Sequence, residues 1–148
     1  MKKNLFLIIV AALVLLPVSL LAQPAKMLGT WYTIDEDGNR KSVVVITKNS
    51  NGTYEGRIER LLTGDPDRRC VNCTGAEKDK PIKGMKIIRS LREDGNKLTG
   101  GTIMDPANGK VYNCTVSLDN KTGDLKVRGS LDKTGLIGRN QTWKRAQN

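Results

Sequence analysis

The stretch that decides the fold is Lys110-Val111-Tyr112-Asn113-Cys114-Thr115-Val116-Ser117-Leu118, a polar reversal over residues 119–123, and then Leu125-Lys126-Val127-Arg128-Gly129-Ser130-Leu131. Tyr112, Cys114, Val116 and Leu118 fall on one side of an extended chain, with Val111, Asn113, Thr115 and Ser117 on the other. Leu125, Val127, Gly129 and Leu131 oppose Lys126, Arg128 and Ser130 in the same way. A period of two with one apolar face is the pattern of antiparallel strands that meet water on one side. The run Asp119-Asn120-Lys121-Thr122-Gly123 supplies the Asx-turn and left-handed conformations that a chain reversal needs.

The same punctuation recurs outward from this hairpin, at residues 35–39, 49–52, 93–96, 105–109 and 132–135. Between the reversals lie stretches with strand character at 28–34, 41–48, 53–62, 84–92, 96–104, 110–118, 124–131 and 136–145. No stretch of helical length carries a 3.6-residue apolar period. The fold class expected is therefore all-β. Eight consecutive antiparallel strands close into an up-and-down barrel, which removes exposed edges. A barrel of that size either fills with side chains or holds one small ligand.

Composition divides the 148 residues in two. Seventeen of the first 22 are apolar: Lys2 and Lys3 precede an unbroken run from Leu5 to Leu16, then Pro17, Ser19 and Ala22. This is the layout of a signal peptide, residues 1–22, with cleavage after Ala22. Residues 23–148 then form a single domain exported to the periplasm or secreted. Losing Lys2 and Lys3 lowers the net charge from +10 to +8. Leu, Ile, Val and Phe make up only 24 of the remaining 126 residues, a lean core for a folded domain. Histidine is absent, which excludes Ser-His-Asp and Cys-His catalysis and His-ligated zinc or haem. No acid pair stands out, although Asp35, Glu55 and Glu59 are carboxylates that an acid–base reaction could use. No enzyme activity and no cofactor or metal are expected.

Cys70, Cys73 and Cys114 are the three cysteines. A redox Cys-x-x-Cys sits at a helix N-terminus that lowers a thiol pKa, and no helix signal follows Cys73. A closed zinc site needs four ligands, with Asp67 or Asp79 as the only fourth. An exported chain with a small core favours a structural disulfide. Two pairings stay open: Cys70 with Cys73, or either of them with Cys114. The chain-entropy model favours the second slightly, since a loop of about 40 residues is worth roughly 3–4 kcal/mol. Residues 63–83 form a long loop, either a lid on the barrel mouth or a pinned surface excursion.

Lys78, Lys80, Lys83, Lys86, Arg89 and Arg92 form a basic run against Asp79. Aromatic side chains are too few for a stacking platform, so nucleic acid is not expected. An anionic membrane surface or envelope glycan is the partner such charge suits. On the last strand Arg139, Gln141, Trp143 and Arg145 share a face.

Gly29-Thr30-Trp31 resembles the G-x-W signature of lipocalin-like proteins. Over the whole of residues 23–148 the chain resembles DUF2147, a family of bacterial secreted uncharacterised proteins with a lipocalin-like barrel. The residues that carry this are Gly29-Thr30-Trp31-Tyr32, Gly56-Arg57-Ile58, Cys70-Val71-Asn72-Cys73-Thr74-Gly75 and Lys80-Pro81-Ile82-Lys83-Gly84-Met85. Gly100-Gly101-Thr102-Ile103, Asp105-Pro106 through Cys114, Leu125 to Gly129, and Gly138 to Trp143 continue the series. The resemblance implies a calycin-type barrel with a basic side chain of the last strand, Arg139 or Arg145, packed on Trp31. It implies no catalytic residues. The function expected is binding of a small amphipathic or anionic ligand, a lipid or cell-envelope component. Its candidate contacts are Trp31, Tyr54, Tyr112, Arg139 and Trp143. The alternative is a filled barrel whose basic surface docks on anionic envelope polymers.

Overall fold

In a computed structural model that describes residues 23–147, eight strands follow one another around a closed ring. They are β1 Gly29–Ile34, β2 Arg40–Lys48, β3 Tyr54–Leu61, β4 Lys86–Asp94, β5 Lys97–Asp105, β6 Lys110–Leu118, β7 Leu125–Ser130 and β8 Gly138–Arg145. Each pairs antiparallel with the next, and β8 returns to β1. The all-β, eight-stranded up-and-down barrel is thus the observed fold, with strand ends within two residues of those expected from alternation. The expected signal peptide, residues 1–22, lies outside the described residues.

The alternation places the core as expected. Cys114 stands opposite Gly101 and Gly129, and Val116 opposite Leu98 and Val127. These join Trp31, Val44, Ile46, Tyr54, Ile58, Ile88, Leu91, Leu125 and Trp143 in one continuous buried cluster. Glycine is required where β4 and β5 crowd together. Ser90 adopts a φ of +58°, and a Cβ on Gly101 would lie 2.2 Å from the carbonyl oxygen of Arg89. The lean apolar count suffices because each strand buries one face only.

One end of the barrel is closed. A single helical turn, α1 Gln23–Lys26, precedes β1, and Met27 behind it is fully buried. The Trp31 indole donates to the Met27 carbonyl at 2.9 Å. The Arg145 guanidinium lies 3.9 Å over the Trp31 ring and donates to the carbonyls of Leu28, at 2.7 Å, and Lys26. The expected clamp is therefore Arg145, the last residue of β8 and the direct partner of Trp31 in the β1–β8 ladder.

The other end carries the turns 35–39, 106–109 and 131–137 and the long connection 62–85. That connection holds a Cys70–Cys73 disulfide, a 3₁₀ turn at Gly75–Glu77 and an antiparallel bridge between Arg69 and Pro81. Cys73 Sγ sits 3.7 Å from Met104 Sδ. Met104 points outward, because a Cβ on Gly129 inside the barrel would meet Ile103 at 3.4 Å and Tyr112 at 3.5 Å, its neighbours of opposite phase. Asn72 Nδ2 donates to the Ala107 carbonyl at 2.8 Å. Of the two readings, lid and pinned excursion, the segment is pinned against the outer wall of β5 and the β5–β6 turn.

Candidate functional site

The mouth at this end, the cup, is bordered by a short ladder: β1 and β8 pair only at Trp31–Arg145, Tyr32–Lys144 and Thr33–Trp143. Beyond Thr33, β8 continues with no ladder partner on that side among the described residues. On β8, Gln141 pairs with Val127 and Arg139 with Gly129. Both therefore occupy inward register positions, yet both side chains are exposed, Arg139 at 89%. Trp143, two residues deeper, is fully buried. On β8 the inward phase thus changes from buried to exposed between Trp143 and Gln141, while Val127 and Cys114 on the neighbouring strands stay buried. Gln141 Oε1 accepts from the Trp143 indole at 3.0 Å, which satisfies the buried ring nitrogen and orients the amide at the boundary.

Beside Gly129, the ladder partner of Arg139, Tyr112 and Ile103 are half-buried. The Tyr112 hydroxyl accepts from Asn108 Nδ2 at 3.2 Å. Level with Trp143, on β1 and β2, Thr33 and Ser42 form a buried hydroxyl pair at 2.7 Å. At the rim, the Leu131 amide donates to the Ile137 carbonyl at 2.8 Å, and both side chains stand in solvent at 70% and 64% exposure. Their loop is held rigidly: Asp132 accepts from the amides of Leu136 (3.1 Å) and Ile137 (2.8 Å), while Arg128 donates to the carbonyls of Gly135 (2.5 Å) and Leu136 (3.0 Å). Hydrogen bonds from Thr134 and Ile137 hold the Asp132 carboxyl far below the usual carboxylate range. A fixed loop therefore displays apolar side chains above a polar, cationic wall.

The five candidate contacts separate. Trp31 and Trp143 are core. Tyr54 is buried near the closed end, its hydroxyl donating to Glu93 at 2.6 Å with the Lys48 ammonium 5.2 Å from its ring. Tyr112 and Arg139 share the cup. Arg139 does not pack on Trp31; its guanidinium reaches Glu36 at 3.7 Å, in a pair almost wholly in water. Gln141, Ile103, Leu131 and Ile137 join the cup and were not among the candidates. The shared faces of Leu131 and Gln141 were legible in the alternation, but where the β1–β8 ladder stops was not.

The cysteines give a correction. The bridge is Cys70–Cys73, and Cys114 is free and buried. The loop-length argument for a Cys114 link fails because the sheet stands between the sulfurs, Cys114 inside the barrel and Cys73 against outward Met104. Burial pushes the Cys114 thiol up to about 12, so it carries no thiolate at neutral pH. The turn after Cys73 is three residues of 3₁₀ helix, too short to supply the dipole of a redox motif.

A family model described as "Uncharacterized protein conserved in bacteria (DUF2147)" matches residues 29–145. Among solved structures, protein HP1028 from the human pathogen Helicobacter pylori, described as belonging to the lipocalin family, is similar with a TM-score of 0.72 and 23% identity. The match covers 82% of this chain and 83% of that one. No curated protein matches. The likeness to HP1028 is one of fold.

Proposed function

The chain belongs to the DUF2147 family, and from that membership together with the cup we propose that it is an exported, non-enzymatic protein that binds a small amphipathic anion at its open end. One observation carries this reading: Arg139 and Gln141 hold inward register positions but remain in water, beside half-buried Tyr112 and Ile103. Inward polar groups in a filled barrel would have been buried and matched by partners. Here Arg139 has a pair with Glu36 that lies almost wholly in water, and Leu131 and Ile137 stand beyond it to cover an apolar chain. Because Trp31, Tyr54 and Trp143 pack the barrel below, the ligand lies in the mouth with its anionic group toward Arg139.

Native mass spectrometry of protein purified from its own host tests the reading directly, with a co-purifying amphiphile as the expected result. With a dansyl-labelled fatty acid as probe, Arg139→Glu weakens binding at least about tenfold, the scale of one hydrogen bond to a charged group. Tyr54→Phe, deep in the barrel, leaves the affinity unchanged. An empty protein whose probe binding ignores Arg139→Glu overturns the assignment, and the filled barrel with a docking surface then takes its place.

A further inference from the structure

Where the pinned segment rejoins the barrel, it and the outer faces of β3 and β4 border a separate open concavity of about 350 Å³. Its walls carry Arg57, Lys80, Lys83, Lys86 and Arg89 against one lining carboxylate, Glu77. Glu77 pairs with Arg89 at 2.7 Å, and nearby Glu55 takes Lys86 at 2.5 Å and Arg57 at 3.8 Å. Five cations thus face two carboxylates, leaving a surplus of three. Among the described residues neither Lys80 nor Lys83 is ion-paired. Lys86 above all holds the Glu55 carboxyl below its usual range, as a strongly positive surround requires.

The scaffold of this cleft is preformed. The Lys80 carbonyl accepts from the Cys70 amide at 2.9 Å, and the Ile82 amide donates to the Arg68 carbonyl at 3.1 Å. The Gly84 amide donates to Ile58 at 2.7 Å, and Arg57 Nη1 donates to the Gly84 carbonyl at 2.6 Å. The disulfide ties the same segment two turns away. Backbone that carries the cations is therefore ordered before any ligand arrives, which lowers the entropy cost of binding. A concave surface lined by one sign of charge focuses its field. Lysine ammonium groups bind phosphate oxygens as point charges, and a surplus of three cations exceeds what one carboxylate neutralises, whereas a phosphate monoester carries nearly two charges.

We propose that this cleft binds a phosphoryl group, presented by a small soluble phosphate or by a phospholipid headgroup, with Lys80 and Lys83 as its unpaired cationic contacts. The site is distinct from the cup and does not depend on a ligand there. The test uses the exported protein with Lys80→Glu/Lys83→Glu and, as a charge-matched control, Lys97→Glu/Lys121→Glu at the closed end. Unchanged thermal unfolding in both variants verifies the fold. Calorimetric titration with inorganic pyrophosphate, and sedimentation with vesicles of phosphatidylglycerol in phosphatidylcholine, provide the two arms. The cleft variant is expected to lose at least about tenfold in affinity while the control loses much less. Loss in the pyrophosphate arm identifies a soluble phosphate, and loss in the vesicle arm alone identifies a headgroup. Absence of binding in both arms, or equal loss in the two variants, overturns the proposal. A failure of the Arg139→Glu test above leaves this result untouched, so the two readings fail separately.

Discussion

Single side chains decide how the barrel ends are used. Arg145 closes one end through the indole of Trp31 and two backbone carbonyls that α1 and the start of β1 leave unpaired. Arg145→Ala is expected to cost about 1–2 kcal/mol in denaturant unfolding, from the cation–π contact and the lost carbonyl bonds. Arg145→Lys recovers only part, since an ammonium cannot span both carbonyls while lying flat on the ring. Cys114 offers a second test at this scale. Its thiol, buried and pushed up to about 12, should resist a thiol reagent in the native protein, and one thiol should react per chain after unfolding without reductant. Three reactive thiols would contradict the Cys70–Cys73 pairing. Three of the five candidate contacts lie in the core for a definable reason. Trp31, Tyr54 and Trp143 have the aromatic character of ligand contacts, and burial commits that same character to the core.

Elements carry the next set of consequences. The β4–β5 pair is built around the Ser90 conformation and the absence of a Cβ at Gly101. Gly101→Ala drives a methyl into the Arg89 carbonyl and should destabilise by at least about 2 kcal/mol, read as a lower midpoint in denaturant. The connection 62–85 is an element of its own, with a buried disulfide and hydrogen bonds in place of a regular strand. Its four-residue ring is worth about 2 kcal/mol in the chain-entropy model, less than the long link first favoured. Replacing Cys70 and Cys73 by alanine should lower stability by that amount and speed amide exchange of residues 70–85, with the barrel strands retaining their protection. Strand positions were legible because side-chain period and turn chemistry are local. The placement of this connection was not, because it rests on contacts such as Cys73 with Met104 and Asn72 with Ala107, formed more than 30 residues apart.

At the scale of the whole molecule, acid is the expected weak point. Glu55, Glu93, Asp119, Asp124 and Asp132 are all held below their usual values in the folded chain, by cationic partners, hydroxyl groups or backbone amides. A carboxylate with a lowered folded pKa stabilises fully above its ordinary value, about 4, and that contribution disappears as pH falls through the folded value. Without histidine, no ordinary side chain titrates between pH 5 and 8. The thermal midpoint should therefore stay level across that window and drop below pH about 4. A midpoint that changed steeply near pH 6.5 would contradict this. Period-two alternation, turn residues and charge balance are properties of neighbouring positions, so the sequence by itself determined eight strands, their inward faces and a cationic surface. Closure distances, the extent of the β1–β8 ladder and the path of residues 62–85 depend on pairings remote in sequence. Only the tertiary structure decided that β8 is buried as far as Trp143 and exposed from Gln141 outward, and that a cationic cleft flanks the barrel, because each of those depends on which remote backbone stands alongside.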